Sequence, residues 1–277
     1  MARSLSPAPL AEILRGADTG DLDVLVDYIT DSGKGRMALD NDVCAQLVRA
    51  KSAQAYGPNE RMLIESELRQ FGGNTVANLM RNMRGLLGSL TSSASGSSST
   101  QAATVPYDEI VRDVAEHLKV EFDKYASTPE VEDGIMNALL AASFEKMKPD
   151  QRELILNDLG IPGAADLAQR SAAAISAGIA AAALSSVMAY HLSRSVAAAS
   201  VQALLGRGLA IGATSVIARP IAVLAGPIGW AVTGAWALAD MASPAYRVTV
   251  PCVVQIAYMR KKAQMNGRQS EPTPQPA

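Results

Sequence analysis

The chain has 277 residues, 25 Lys/Arg against 27 Asp/Glu, a formal charge of −2, and side chains that are 48% hydrophobic but only 4% aromatic. That length fills one or two domains, and a scarcity of aromatics without a Lys/Arg stripe among them excludes a nucleic-acid footprint. The balance conceals a split, because residues 1–169 hold 16 Lys/Arg against 25 Asp/Glu while residues 170–277 hold 9 against 2.

Helix signals dominate the front half. Leu22, Leu25, Val26 and Ile29 share one face of the stretch Asp21–Ile29, with acids near the start where the helix dipole favours them. Gly33 and Gly35 stop it. Val43, Leu47 and Val48 mark a second helix, and Met62, Ile64, Leu68 and Phe71 a third. The pair Gly72-Gly73 is expected to end that third helix, with Asn74 capping a new one through Val76, Leu79, Met80 and Met83. Together these make an N-terminal helical region over residues 1–88. Residues 89–105, with the run Ser89–Thr104, are too polar and too simple in composition to pack, and read as a flexible Ser-rich insertion.

Residues 106–162 read as central amphipathic helices. Pro106 suits a first helical position, and Ile110, Val111, Val114, Leu118 and Phe122 follow at helical spacing. Ser127-Thr128-Pro129-Glu130 combines a hydroxyl cap, an early proline and an early acid. Ile135, Met136, Leu139, Leu140, Phe144 and Met147 supply the apolar face behind it. Pro149-Asp150 opens one more helix, which ends near Gly160-Ile161-Pro162-Gly163.

Residues 163–265 form an Ala/Gly-rich apolar region of a different kind. From Ser171 to Tyr246 the only formal charges are Arg194, Arg207, Arg219 and Asp240. The windows Ser171–Ser193 and Pro220–Ala239 carry none, and each is about the roughly 20 residues that a membrane-spanning helix needs. Gly208 and Gly212 stand one helical turn apart, as in packed membrane helices. Gly226 and Gly229, with Pro227 between them, interrupt the second window, which then suits a two-piece or re-entrant helix. Arg194, Arg207 and Arg219 have to lie near an interface or in a loop if these windows form a hairpin in a bilayer. From Met241 to Met265 a plain amphipathic pattern returns, and residues 266–277 read as a disordered tail.

Little in the chain points to chemistry. Asp113, His117 and Glu121 would share one face of a helix, but a metal site needs three or four converging ligands, and Asp113, Glu116 and Asp123 read as the solvated side of that helix. His191 reads as a packing residue in an Ala-rich helix. Phosphate loops, dinucleotide fingerprints and nucleophile elbows are absent, so no catalytic residue, cofactor or metal is expected. Cys44 and Cys252 read as buried apolar residues, and the N-terminal stretch lacks the apolar core of a secretory signal.

Three segments carry a resemblance. Asp21–Leu25, Phe71-Gly72-Gly73-Asn74-Thr75-Val76-Ala77-Asn78, and Pro244–Pro251 running into Val254-Gln255-Ile256-Ala257 resemble, in order and approximate spacing, the YaaW-type family of bacterial proteins. That family is grouped by sequence with ubiquinol–cytochrome c chaperones. The resemblance implies an all-helical, non-enzymatic protein that engages other proteins at a membrane, and it brings no catalytic residues.

The resulting expectation is an all-α multi-helix bundle in the cytoplasm, at the inner membrane, with an acidic front and an apolar back that meets membrane lipid, inserts into it or disrupts it. Gly208, Gly212, Gly226, Gly229, Trp230, Trp236, Tyr246 and Arg247 are the candidate membrane or partner contacts. Self-association is compatible with such a surface, and the identity of a protein partner is open. The alternative is a soluble chaperone-like or adaptor protein whose apolar helices form the core of one bundle, with Arg247 paired to a front-half carboxylate.

Overall fold

The computed structural model describes residues 9–36, 39–87, 105–158, 160–181, 186–205 and 245–269. Among them are eleven helices and no strand, so the protein is all-α. The front half supplies α1 (Leu10–Gly16), α2 (Thr19–Thr30), α3 (Asn41–Ser52), α4 (Pro58–Leu87), α5 (Tyr107–His117), α6 (Thr128–Glu145) and α7 (Pro149–Asp158). The back half supplies α8 (Ala164–Ala168), α9 (Ala172–Ala181), α10 (Ser186–Leu205) and α11 (Tyr246–Gln269).

Capping chemistry sets several of these boundaries. Asp18 accepts from the Asp21 backbone N–H at the start of α2, and Asp40 from those of Asp42 and Val43 at the start of α3. α2 stops where Asp31 turns left-handed at φ 53°, followed by Ser32 and Gly33. A capping box joins Ser127 to Glu130 at the start of α6, as the sequence predicts.

α11 organises the molecule. It packs against α1, α2, α4, α5, α6 and α10. From Val248 to Arg260 its residues are buried on every side, so this is a helix of the core. In the described part of Met241–Met265 the expected amphipathic pattern is therefore replaced by a helix buried as far as Arg260, whose Gln255 and Arg260 reach acids of the front half. Helical structure also runs on through Gln269, which places residues 266–269 in α11 rather than in a disordered tail.

Tyr190 in the first turns of α10 stacks on Tyr258 of α11, with centroids 6.0 Å apart. α10 packs along α11, and the run Ser195–Val201 of α10 is buried, as is Val248–Arg260 of α11.

The structure corrects four sequence expectations. α4 continues straight through Gly72-Gly73, because a Cβ at Gly72 would lie 2.4 Å from Ile110 Cγ1 of α5. This glycine allows two helices to approach closely and does not stop a helix. Pro106 is the residue before α5 rather than its first, and α5 ends at His117, with Lys119 left-handed at φ 56°. Phe122 therefore lies in the α5–α6 connection, where the Arg112 guanidinium sits 5.5 Å over its ring. Asp113, expected on the solvated side, is buried. Finally, the window Ser171–Ser193 is divided between α9 and α10, whose Ile175, Ile179 and Leu192 are buried in the bundle. No helix among the described residues is long and apolar enough to cross a membrane.

Candidate functional site

The polar side chains of α11 make three sets of contacts with the front half. At its first residue, the Tyr246 hydroxyl donates to Asp113 Oδ1 at 3.0 Å, and the His117 ring stacks on the Tyr246 ring with centroids 3.9 Å apart. Asp113 Oδ2 is buried with no hydrogen-bond partner among the described residues. Burial raises the Asp113 carboxyl to about 6, against the Tyr246 hydrogen bond and with help from Glu116 and Glu109. Tyr246 is itself pushed up, first by burial and then by the Asp113 charge.

In the middle and late turns of α11, Gln255 Nε2 donates to Asp21 Oδ1 at 3.5 Å and Lys262 Nζ to Asp21 Oδ2 at 2.7 Å. Lys262 also pairs with Asp18. Burial lifts the Asp21 carboxyl above the ordinary range, and the two acids hold the Lys262 ammonium above its own despite burial.

The third set is the most deeply buried. Arg260 grips Glu132 of α6 in a two-pronged contact, Nε to Oε2 at 2.7 Å and Nη2 to Oε1 at 3.1 Å. The Tyr107 hydroxyl donates to the same Glu132 Oε1 at 2.9 Å. The side chains of Arg260 and Glu132 are 4% and 2% exposed, and burial keeps Glu132 above the usual carboxylate range even so. Next along the helix, Lys261 Nζ reaches Asp133 Oδ2 at 2.7 Å.

The candidate contacts Gly208, Gly212, Gly226, Gly229, Trp230 and Trp236 lie outside the described residues. The remaining two, Tyr246 and Arg247, open α11. Tyr246 is buried against Asp113 and His117, while Arg247 is exposed. A buried arginine–carboxylate pair of the kind expected at Arg247 is made by Arg260, thirteen residues further along α11. Its sequence signal was the adjacency of Arg260-Lys261-Lys262 in an otherwise charge-poor region, matched by Glu132-Asp133 and by Asp18 and Asp21 in the acidic half.

The Asp113, His117 and Glu121 trio does not form, because α5 ends at His117 and Asp113 is committed to Tyr246. No group of three or more His, Cys, Asp or Glu among the described residues could hold a metal ion. His191 is half-buried on α10, and burial with the neighbouring Arg194 lowers its pKa. Its Nδ1 is buried without a hydrogen-bond partner among the described residues. Cys252 is fully buried, and burial pushes its thiol up, which leaves it unreactive.

No family model matches the chain, and no solved structure matches it. Curated relatives do. A UPF0174 protein of Helicobacter pylori J99 is 27% identical over 253 residues, covering 91% of each chain. The UPF0174 protein YaaW of Escherichia coli K12 is 27% identical over 236 residues, covering 84% of this chain and 85% of the relative. These names carry nothing on a grouping with chaperones. A UPF0174 protein of Helicobacter pylori 26695 is 33% identical over 201 residues, 72% of this chain and 87% of its own length, and on that likeness the chain belongs to the UPF0174 family.

Proposed function

We propose that this protein is a non-enzymatic, membrane-associating factor that acts by contact, from the cytoplasmic face of the inner membrane. The observation that supports the reading is the sequence between two packed helices: α10 ends at Leu205, α11 opens at Tyr246, the two pack together, and between them the chain has only Arg207, Arg219 and Asp240 as charges. The described helices offer no membrane span, so insertion falls to the segment that includes Gly208, Gly212, Gly226, Gly229, Trp230 and Trp236.

The test is fractionation of the full-length protein at native expression level, with membranes washed in high salt and then in alkaline carbonate. Retention through carbonate is the expected result. Release by salt alone would replace insertion with docking of a basic surface on anionic lipid. A wholly soluble, monodisperse protein would overturn the membrane reading.

One observation favours the second reading, a soluble chaperone-like or adaptor protein. Arg260, Lys261 and Lys262 are already paired with front-half acids, and α11 is the core of the bundle rather than an apolar surface. That reading predicts a protein partner recovered by crosslinking in the soluble fraction.

A further inference from the structure

Helix interiors pack closely, yet α6, α9, α10 and α11 leave a half-open cavity of about 260 Å³ between them. The cause is local, since Ala189, Ser193 and Ala257 line it at places where larger side chains would fill it. Its inner wall is apolar, with Met136, Ile179 and Leu192. Its mouth is charged, with Lys261 Nζ 2.7 Å from Asp133 Oδ2 and side chains 19% and 45% exposed.

We propose that this cavity binds one single-chain zwitterionic amphiphile, with the alkyl tail against Met136, Ile179 and Leu192, the cationic part of its head at Asp133 and the anionic part at Lys261. The charge pattern selects the head. Asp133 and Lys261 cancel, and the neighbouring Glu132–Arg260 pair cancels too, so no net field draws a ligand of one sign. A ligand bearing a single charge would part Lys261 from Asp133 and leave one of them unmatched, whereas a zwitterion exchanges one ion pair for two. The volume selects the tail, because 260 Å³ is the liquid volume of roughly nine waters and falls just under the ~300 Å³ at which ordinary small-molecule sites begin. A short alkyl chain fits such a space, and a fused-ring cofactor does not.

The site is separate from the root of the 206–244 segment. Lys261 lies fifteen residues beyond Tyr246 on α11, roughly 22 Å along the helix axis. The inference therefore does not rest on the membrane reading, and each can fail without the other.

The experiment is calorimetric titration of the full chain, kept in amphipol where it needs one, with octylphosphocholine below its micelle concentration. Saturable binding of one molecule per chain is expected. Phosphocholine without a tail should not bind, and octanoate should bind at least tenfold more weakly. Ala189→Phe, which fills the cavity from its rim, should lose binding at least tenfold while keeping its helical circular dichroism. Asn137→Phe on the opposite rim serves as a second blocking variant should the first fail to fold. Many equivalent sites indifferent to both variants would mean generic detergent uptake and overturn the proposal, as would the absence of saturable binding.

Discussion

At Asp113 one carboxylate oxygen accepts from Tyr246 and the other is sealed from water without a partner among the described residues. Its pKa is about 6 in the fold, against 3.8 for the free side chain, so folding favours the protonated form. The stability this group contributes is complete below pH 3.8 and is lost as pH rises through about 6. Asp113→Asn keeps an acceptor for Tyr246 and removes the charge. It should raise the melting temperature at pH 7.5, and the gain over wild type should shrink as pH falls from 7 to 4. A gain independent of pH would show that Asp113 is not the titrating group. The sequence placed this residue on the solvated side of its helix together with Glu116 and Asp123, and nothing in its spacing set it apart from them. Only the position of α11 decides which of them is buried.

Helices were legible wherever periodicity and capping agreed, as at Ser127–Glu130 and at Asp21–Ile29. The Gly72-Gly73 pair misled because a glycine that ends a helix and one that admits a neighbouring helix look alike in sequence, and the difference is the tertiary contact with Ile110. This gives a discriminating substitution. Alanine is favoured over glycine in a helix interior by about 1 kcal/mol, whereas overpacking a close contact costs about 1–3 kcal/mol. Gly72→Ala should therefore lower stability in urea denaturation by a net ~0–2 kcal/mol, and stand about 1–3 kcal/mol below Gly267→Ala. Gly267→Ala in the same experiment is the control, because nothing lies within 4 Å of its would-be Cβ. If Gly72→Ala proves as harmless as Gly267→Ala, the close approach of α4 and α5 is not real.

For the whole molecule, the opposition of an acidic front and a basic back was readable from counting charges, and its partner choice was not. The exposed Arg247 and the buried Arg260 occupy the same helix and share a residue type, so only packing distinguishes them. Arg260 joins the two halves through Glu132, and removing it strands a buried carboxylate. Arg260→Met should cost about 3–5 kcal/mol, as broken buried pairs do, and adding Glu132→Leu should recover part of that loss. A single-variant loss below about 1 kcal/mol, the range of surface pairs, would show that solvent reaches Glu132. Of the two charge-poor windows, Pro220–Ala239 lies outside the described residues, and in Ser171–Ser193 the side chains of Ile175, Ile179 and Leu192 are buried against protein, with α6 packed on α9 and α11 on α10.

The placement of α11 also sets an order of assembly. It follows every other described helix along the chain, yet α1, α2, α4, α5 and α6 all rest on it. During synthesis these front helices emerge first and can pack on one another, but the faces that α11 covers stay open, and the pairs that finish the structure join residues more than a hundred positions apart, such as Glu132 with Arg260. Loop closures of that length make folding slow and leave apolar faces open in the meantime. Residues 206–244 therefore leave the ribosome before α11, the helix that completes the bundle.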